Sequence, residues 1–254
     1  MKLRVLGCSG GIGGKLRTTS FLLDNDVLID AGSGVGDLSI AEMVFIDHIF
    51  ITHSHLDHVA MIPLLVDTVG GMRDRPITLH ATEEVLDILR QHMFNWKLWP
   101  DFTCIPDPDH PFLRYRAIAM GETVTLDGRA ITVLPAVHTV PAVGYQIDSG
   151  SASLVFTGDT TSQEEFWRIV NSIENLRYLI IETAFSNAER DLAIASKHLY
   201  PLLLAEELAK FKREAEIYIT HLKPGEIELT MQEIYDCAAQ YRPHMLYNGK
   251  VFDF

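Results

Sequence analysis

The chain has few cysteines and no long hydrophobic run. Its three cysteines, Cys8, Cys104 and Cys237, are far apart and odd in number, which argues against a disulfide framework and against a cysteine-based zinc site. The longest apolar runs have the length of a strand, so no segment is expected to span a membrane. The amino terminus enters a strand pattern directly, without the features of a signal peptide. These absences together predict a cytoplasmic protein with reduced thiols.

Positive charge is also scarce. The 254 residues include 21 lysines and arginines against 34 aspartates and glutamates, a formal net charge of -13. This balance repels polyanions, and no basic stripe of the kind that grips a long nucleic acid is present. A small anion could still bind, because metal ions reverse the local field. We therefore expect a small anionic substrate rather than a long nucleic acid or a membrane.

The organisation along the chain indicates a layered α/β protein. No repeat, linker or low-complexity tract appears, and short β-like runs alternate with helical ones. Asp127-Gly128 and Asp148-Ser149-Gly150-Ser151 predict hairpin turns, so the sheets should be mixed and covered by helices on their outer faces. The predicted strands lie near residues 3–7, 20–24, 26–30, 47–52, 77–81, 114–119, 129–135, 143–148, 152–157, 176–182, 216–220 and 244–252. The predicted helices lie near 57–69, 82–94, 162–173, 199–212 and 230–240.

The most informative motif is His53-Ser54-His55-Leu56-Asp57-His58, which places four metal-capable side chains within six residues. The apolar run Ile49-Phe50-Ile51 before it predicts a buried strand, and residues 59–69 after it predict an apolar helix. The motif therefore occupies a turn at the carboxyl end of a strand, where open α/β sheets place their ligand sites.

Three further candidate ligands, His138, Asp159 and His221, each follow a predicted strand. Dinuclear hydrolase centres need imidazoles, a few carboxylates and an open position for water, and this set supplies them. It contains no thiolate. Imidazole and carboxylate ligands suit zinc, and also iron or manganese. We predict two divalent metal ions per chain, with zinc favoured.

The motif of residues 53–58, followed along the chain by His138, Asp159 and His221, resembles the ligand motifs of the metallo-β-lactamase-fold hydrolases. The resemblance covers nearly the whole chain. It implies a single domain over 1–254 with an αββα sandwich fold (α/β, four layers) and a site at one edge between the sheets. It also implies that one metal is held by three histidines and the other by Asp57 and two histidines, with Asp159 bridging both ions: the histidines are His53, His55 and His138 for the first metal, and His58 and His221 for the second. Asp30 would orient a ligand histidine. A water-derived hydroxide between the metals would be the nucleophile.

Other segments resemble the class II cyclic-nucleotide phosphodiesterases. They are Gln91 to Asn95, Trp99 to Phe102, Ile181 to Asn187, Ser196 to Leu199 and Thr220 to Pro224. The implied reaction is hydrolysis of a 3′,5′-cyclic nucleotide, cAMP or cGMP, to the nucleoside 5′-monophosphate. One residue departs from that family's pattern, because Met61 stands where a Gly or Ser is usual. Met61 leaves the ligands intact and is expected to alter either the packing of the helix that follows or the floor of the pocket.

The ribose 3′-oxygen is a poor leaving group unless it is protonated, so the reaction calls for a positioned acid. We predict that His198 is this acid and that Glu182 raises its pKa by accepting a hydrogen bond from its ring. Asp57, Glu182 and His198 are thus the predicted catalytic residues. The alternative for His198 is a surface residue at the start of a helix.

The aromatic segment near residues 92–112 resembles a lid or pocket wall, because it is rich in aromatic residues and poor in periodicity. Phe94, Asn95 and Trp99, together with His198, are the predicted substrate-binding residues, with stacking on the base as the physical role of the rings. A hydrophobic core or a dimer interface would explain the same rings equally well.

Three alternative functions stay open at this point. A tRNA 3′-processing ribonuclease shares the metal motifs and residues like Glu182 and His198, but the acidic balance and the lack of a basic arm argue against it. A lactonase or thioesterase would use the same metal chemistry. A binding module with a degenerate site is the non-catalytic alternative. A homodimer is expected only because dimers are common among enzymes of this size.

Overall fold

The computed structural model describes all residues, 1–254. It contains fourteen strands and eight α-helices. The strands are β1 (Lys2–Gly7), β2 (Ser20–Leu23), β3 (Val27–Ile29), β4 (His48–Phe50), β5 (Ile77–Ala81), β6 (Leu113–Ala117), β7 (Thr123–Leu126), β8 (Arg129–Pro135), β9 (Val143–Asp148), β10 (Ser153–Phe156), β11 (Leu176–Glu182), β12 (Glu216–Thr220), β13 (His244–Met245) and β14 (Val251–Asp253). The helices are α1 (Ile40–Met43), α2 (Leu56–Val59), α3 (Ile62–Val69), α4 (Glu83–His92), α5 (Glu164–Val170), α6 (Arg190–Ser196), α7 (Pro201–Leu208) and α8 (Ile227–Ala238).

The strands form two seven-stranded mixed sheets, in the orders β14-β1-β2-β3-β4-β5-β6 and β13-β12-β11-β10-β9-β8-β7. In the first sheet β3 to β6 run parallel, and in the second β10 to β13 do so. Parallel strands end at the same sheet edge, so the loops that follow them are neighbours in space. This arrangement brings the candidate ligands together.

Three apolar clusters separate four layers. A cluster of 22 buried residues lies between the sheets, and clusters of 24 and 18 lie between each sheet and its own helices. In β11, Tyr178 and Ile180 face the other sheet while Leu179 and Ile181 face the helices. Both faces of such a strand are covered, which explains its continuous hydrophobic run. The predicted αββα sandwich is confirmed.

Several predicted boundaries were wrong for local reasons. The helix expected over 57–69 is broken into α2 and α3, because the amide of Met61 donates to the carbonyl of Ala31 at 3.0 Å. The strand expected over 244–252 is two strands, β13 and β14, which belong to different sheets. The short elements β7, α1 and α6 were not predicted. No helix combines the length and the apolar character that a membrane crossing would require.

Candidate metal centre

The seven predicted ligands lie in the loops, and in the short helix α2, that follow the carboxyl ends of strands in both sheets. The motif of residues 53–58 follows β4 and continues into α2, while His138, Asp159 and His221 follow β8, β10 and β12. His221 has a left-handed backbone with φ 65°. Gly158, just before Asp159, has φ 61°, and a Cβ there would lie 2.6 Å from the carbonyl oxygen of Val143. Only glycine fits this turn, which aims Asp159 into the site.

The side chains form two adjoining groups. His53, His55 and His138 make the first, and Asp57, His58, Asp159 and His221 make the second; the ligand atoms within each group lie within 4.8 Å of one another. In the first group, His55 Nδ1 and His138 Nε2 are 3.1 Å apart. Two ring nitrogens at this distance can both face one cation. Each group therefore fits a divalent metal ion.

Asp159 lies between the two groups. Its Oδ2 is 3.6 Å from His53 Nε2 in the first group and 3.4 Å from His58 Nε2 in the second, and its Oδ1 is 3.3 Å from His221 Nδ1. Burial alone would raise the pKa of Asp159, but the surrounding imidazoles hold it well below its usual range. An ionised carboxylate facing both groups is suited to bridge two cations.

Three buried ring nitrogens point into this space without a hydrogen-bond partner: His53 Nε2, His58 Nε2 and His221 Nδ1. Buried polar atoms are nearly always paired, so three of them around one carboxylate call for a ligand. Burial lowers the pKa of His221 to about 3 and that of His138 to about 4. Both rings are therefore neutral at pH 7, which is the form that binds metals.

Neighbouring groups orient the rings. Asp30, which is fully buried, accepts hydrogen bonds from Thr52 N at 2.8 Å and from His58 Nδ1 at 2.7 Å. The His58 ring thereby presents Nε2 to the site. His138 Nδ1 donates to the carbonyl of Lys197 at 3.2 Å, which leaves its Nε2 lone pair free. These contacts support the orienting role of Asp30, which stays a prediction.

His198 and Glu182 form a hydrogen-bonded pair beside the two groups. His198 Nδ1 lies 2.8 Å from Glu182 Oε1, and Glu182 is fully buried. The His198 ring stacks on His221 with centroids 5.2 Å apart and meets His138 at 4.8 Å. Burial alone would lower the pKa of His198, but Glu182 raises it above its usual value. The structure thus places at the site a histidine that favours the protonated form.

The structure does not bring Phe94, Asn95 and Trp99 to the metal centre. Phe94 is 3% exposed in the cluster between the first sheet and its helices, and Trp99 packs against that cluster. Asn95 Oδ1 accepts hydrogen bonds from the amides of Lys97 and Leu98 at 3.0 and 2.9 Å. These contacts give all three a structural role, and substrate binding by them stays a prediction without a contact to support it.

Two lysines at the site were missed by sequence reasoning. Lys197 Nζ donates to the carbonyl of His138 at 3.0 Å, and Lys223 Nζ donates to the carbonyl of Gly10 at 2.8 Å and lies 3.5 Å from His221 Nε2. The sequence did offer a signal for both, because Lys197 directly precedes His198 and Lys223 follows His221 by two residues. Both ammonium groups favour an anionic substrate.

A four-layer sandwich with two adjoining histidine–carboxylate groups at its strand ends defines a metal-dependent hydrolase of the metallo-β-lactamase fold. The family model described as "Beta-lactamase superfamily domain" matches residues 25–239. The chain belongs to this family. The predicted resemblance is confirmed at this level.

The curated relatives include proteins named as cyclic-nucleotide phosphodiesterases and proteins named as ribonucleases. A "Probable 3′,5′-cyclic-nucleotide phosphodiesterase" of Yersinia pestis is 26% identical over 204 residues, 71% of this chain and 58% of that protein. A "Ribonuclease Z" of Halorubrum lacusprofundi is 31% identical over 158 residues, 58% of this chain and 48% of that protein. The chain thus spans about half the length of these curated relatives. The crystal structure of YhfI from Bacillus subtilis, described as a metallo-β-lactamase fold protein, has a TM-score of 0.76 at 21% identity, covering 99% of this chain and 98% of that chain.

Proposed function

We propose that this protein is a dinuclear metal-dependent phosphodiesterase that hydrolyses 3′,5′-cyclic nucleotides to nucleoside 5′-monophosphates. The observation that carries the proposal is the pair of ligand groups with Asp159 between them and the His198–Glu182 pair alongside. The likeness to the Yersinia pestis protein supports the substrate class. A cytoplasmic location, a homodimer and a preference between cAMP and cGMP stay predictions.

In this proposal His53, His55 and His138 would hold one metal, and Asp57, His58 and His221 would hold the other, with Asp159 available to both. Zinc is the favoured metal, and the same imidazole and carboxylate donors also suit iron or manganese. Bound in pairs, such ions supply water of lowered pKa and hold phosphoryl oxygens.

The residues of the chain provide the remaining parts of the reaction. Water attacks phosphorus and gives up a proton to Asp57, the bond from phosphorus to the 3′-oxygen breaks, and that oxygen takes a proton from His198 Nε2. Glu182 holds Nδ1 of the same ring and keeps it charged. Asp57 is 26% exposed and 3.7 Å from His221 Nε2, where it can accept a hydrogen bond from the attacking water. Lys197 and Lys223 place positive charge beside the phosphate.

A ribonuclease acting on tRNA precursors is the second candidate, because the Halorubrum lacusprofundi relative carries that name. The acidic balance of the chain weighs against it. The deciding assay offers the protein, loaded with zinc, manganese or iron, five substrates: cAMP, cGMP, bis(p-nitrophenyl) phosphate, a lactone and a tRNA precursor. Turnover of a cyclic nucleotide supports the proposal. Cleavage of the tRNA precursor or the lactone alone contradicts it.

The role of His198 is tested by His198→Ala. We expect turnover of the cyclic nucleotide to fall about 10²–10⁴-fold, the contribution of a positioned acid. Metal content should stay at the wild-type value, because His198 is not among the proposed ligands. His110→Ala, an 84% exposed histidine in the 92–112 segment, is the control. Turnover near wild type in His198→Ala with both metals bound would show that the assignment is wrong.

A further inference from the structure

A groove of about 890 Å³ opens beside the metal centre. Its walls are the first turn of α4, residues 117–122 after β6, and the loop of residues 136–143 after β8. His138 lines the groove and also belongs to the first ligand group. The two spaces are therefore continuous. A substrate whose phosphate lies at the histidines would extend its organic group into this groove.

The chemistry of the groove differs from that of the centre. Nine of its 16 lining residues are hydrophobic, among them Ile118, Met120, Val137 and Val140. Its carboxylates are Glu83, Glu84 and Glu122, and it contains no lysine or arginine. The walls thus favour apolar groups, and nothing in them would neutralise a second phosphate.

Only one of these carboxylates lacks a charged partner. Glu83 pairs with Arg90 at 2.7 Å, and Glu122 pairs with Arg116 at 3.3 Å and accepts a hydrogen bond from Ala119 N at 2.9 Å. Glu84 is exposed on the first turn of α4 and forms neither an ion pair nor a side-chain hydrogen bond. Its charge is available to a ligand.

We propose that this groove binds the organic group of the substrate and that Glu84 selects phosphodiesters whose group is apolar and either neutral or cationic, against those carrying a second anion. The inference rests on the proposed function, because it assumes that the metal centre cleaves phosphodiesters. Its physical basis is Coulombic: a carboxylate attracts an amine-bearing group and repels an anion, and low salt strengthens both effects. A polyanionic RNA strand is disfavoured in this groove for the same reason.

The test uses three p-nitrophenyl phosphodiesters that differ in the second ester group: choline, which is cationic, phenyl, which is neutral, and a carboxyethyl group, which is anionic. The values of kcat/KM for the choline and carboxyethyl esters are each divided by that for phenyl, at low and high salt. The metal-loaded protein is compared with Glu84→Gln and Glu84→Lys. Glu174→Lys is the matched control, because Glu174 is exposed and precedes β11, at the end of the strand opposite to the site.

We expect the wild-type protein to prefer the choline ester over the carboxyethyl ester by about tenfold at low salt. Glu84→Gln should lower this ratio of the two kcat/KM values, and Glu84→Lys should bring it below one. Glu174→Lys should leave it at the wild-type value. High salt should bring this ratio closer to one in every protein. An unchanged ratio in a folded, metal-loaded Glu84→Lys protein overturns the inference and leaves the phosphodiesterase proposal standing. Failure of the wild type to cleave any of the three diesters overturns the inference, whereas the phosphodiesterase proposal is decided by the assay with cAMP and cGMP.

Discussion

At the scale of single residues, Asp30 decides which nitrogen of His58 faces the metal centre. Its carboxylate accepts a hydrogen bond from Nδ1 of His58 at 2.7 Å, and its backbone is left-handed with φ 56°. Asn tolerates this backbone, so Asp30→Asn changes the chemistry with little strain. Its amide would donate to Nδ1, and the proton of His58 would then sit on Nε2. We expect about 10–100-fold weaker binding of one metal, and a fall from about two metals per chain to about one.

Elemental analysis and metal titration measure this change. Asp127→Asn is the control, because Asp127 also has a left-handed backbone, φ 48°, and its side chain is 96% exposed. The control should bind as much metal as the wild type. Full occupancy of both sites in a folded Asp30→Asn protein would contradict the orienting role.

Gly10 holds the loop that carries His221. A Cβ at Gly10 would lie 2.5 Å from the carbonyl oxygen of His221 and 2.9 Å from Cδ of Lys223. Since the first of these atoms is backbone, Gly10→Ala must displace the His221 turn. We expect weaker metal binding, again by about 10–100-fold. At Gly71 a Cβ meets nothing within 4 Å, so Gly71→Ala should bind metal normally. Equal metal affinity in the two variants would refute the prediction.

The residues of the candidate centre could largely be predicted, because only a few residue types have side chains that bind metal ions. Histidines and aspartates after hydrophobic runs indicated the seven positions. The aromatic residues of 92–112 show where this reasoning stops. Composition cannot tell a ring that stacks on a substrate from one that fills a core, and Phe94 lies in the core. Most residues that line the groove are apolar or small, such as Ala136, Val137 and Val140, and such residues give no sign of a binding site in the sequence.

At the scale of elements, strands buried on both faces were predicted well and edge elements poorly. β11 reads as an apolar run and was expected at its observed position. β7 lies at the edge of its sheet with only Val124 buried, so it has almost no hydrophobic pattern. The break between α2 and α3 depends on a hydrogen bond from the amide of Met61 to the carbonyl of Ala31, which lies far from Met61 in the sequence. Periodicity within one segment cannot show such a contact.

Asp47 ties the start of β4 to the loop before β5. It pairs with Arg73, whose side chain is 4% exposed, and with Arg75, which is 66% exposed. Arg75 contributes little because water screens it. Asp47→Asn leaves the buried Arg73 charge without its partner, and we expect a loss of about 2 kcal/mol in the free energy of unfolding at pH 7.

This loss should depend on pH. Partial burial alone would raise the pKa of Asp47, but hydrogen bonds from Arg75 and Arg73 hold it below its usual value. A carboxylate with a depressed folded pKa stabilises the fold above its unfolded pKa, about 3.9, and loses that effect as the pH falls through the folded pKa. In urea unfolding, the difference in free energy of unfolding between the wild type and Asp47→Asn should therefore stay constant from pH 7 to pH 5. It should shrink below about pH 4. Asp74→Asn, a neighbouring exposed position, should show no difference. A gap that persists in acid would contradict this account.

At the scale of the whole molecule, two mixed sheets supply the same site from opposite layers. His53 to His58 come from the first sheet, and His138, Asp159 and His221 come from the second. A cation held by both sheets binds the folded chain and has no preformed site in the unfolded one. Metal binding should for this reason stabilise the entire sandwich rather than one loop.

Removing the metals should accordingly lower the melting temperature. Without cations, three buried imidazole nitrogens around Asp159 remain without a hydrogen-bond partner. A ligand at 100 times its Kd adds about 2.7 kcal/mol, and a domain of this size gains about 2–4 °C per kcal/mol. Two sites should thus raise Tm by about 10 °C or more. Calorimetry with a chelator, then with zinc restored, measures the shift. Asp159→Asn, which lacks the shared ligand, should respond little, and an identical Tm for the wild type with and without metal would refute a centre spanning both sheets.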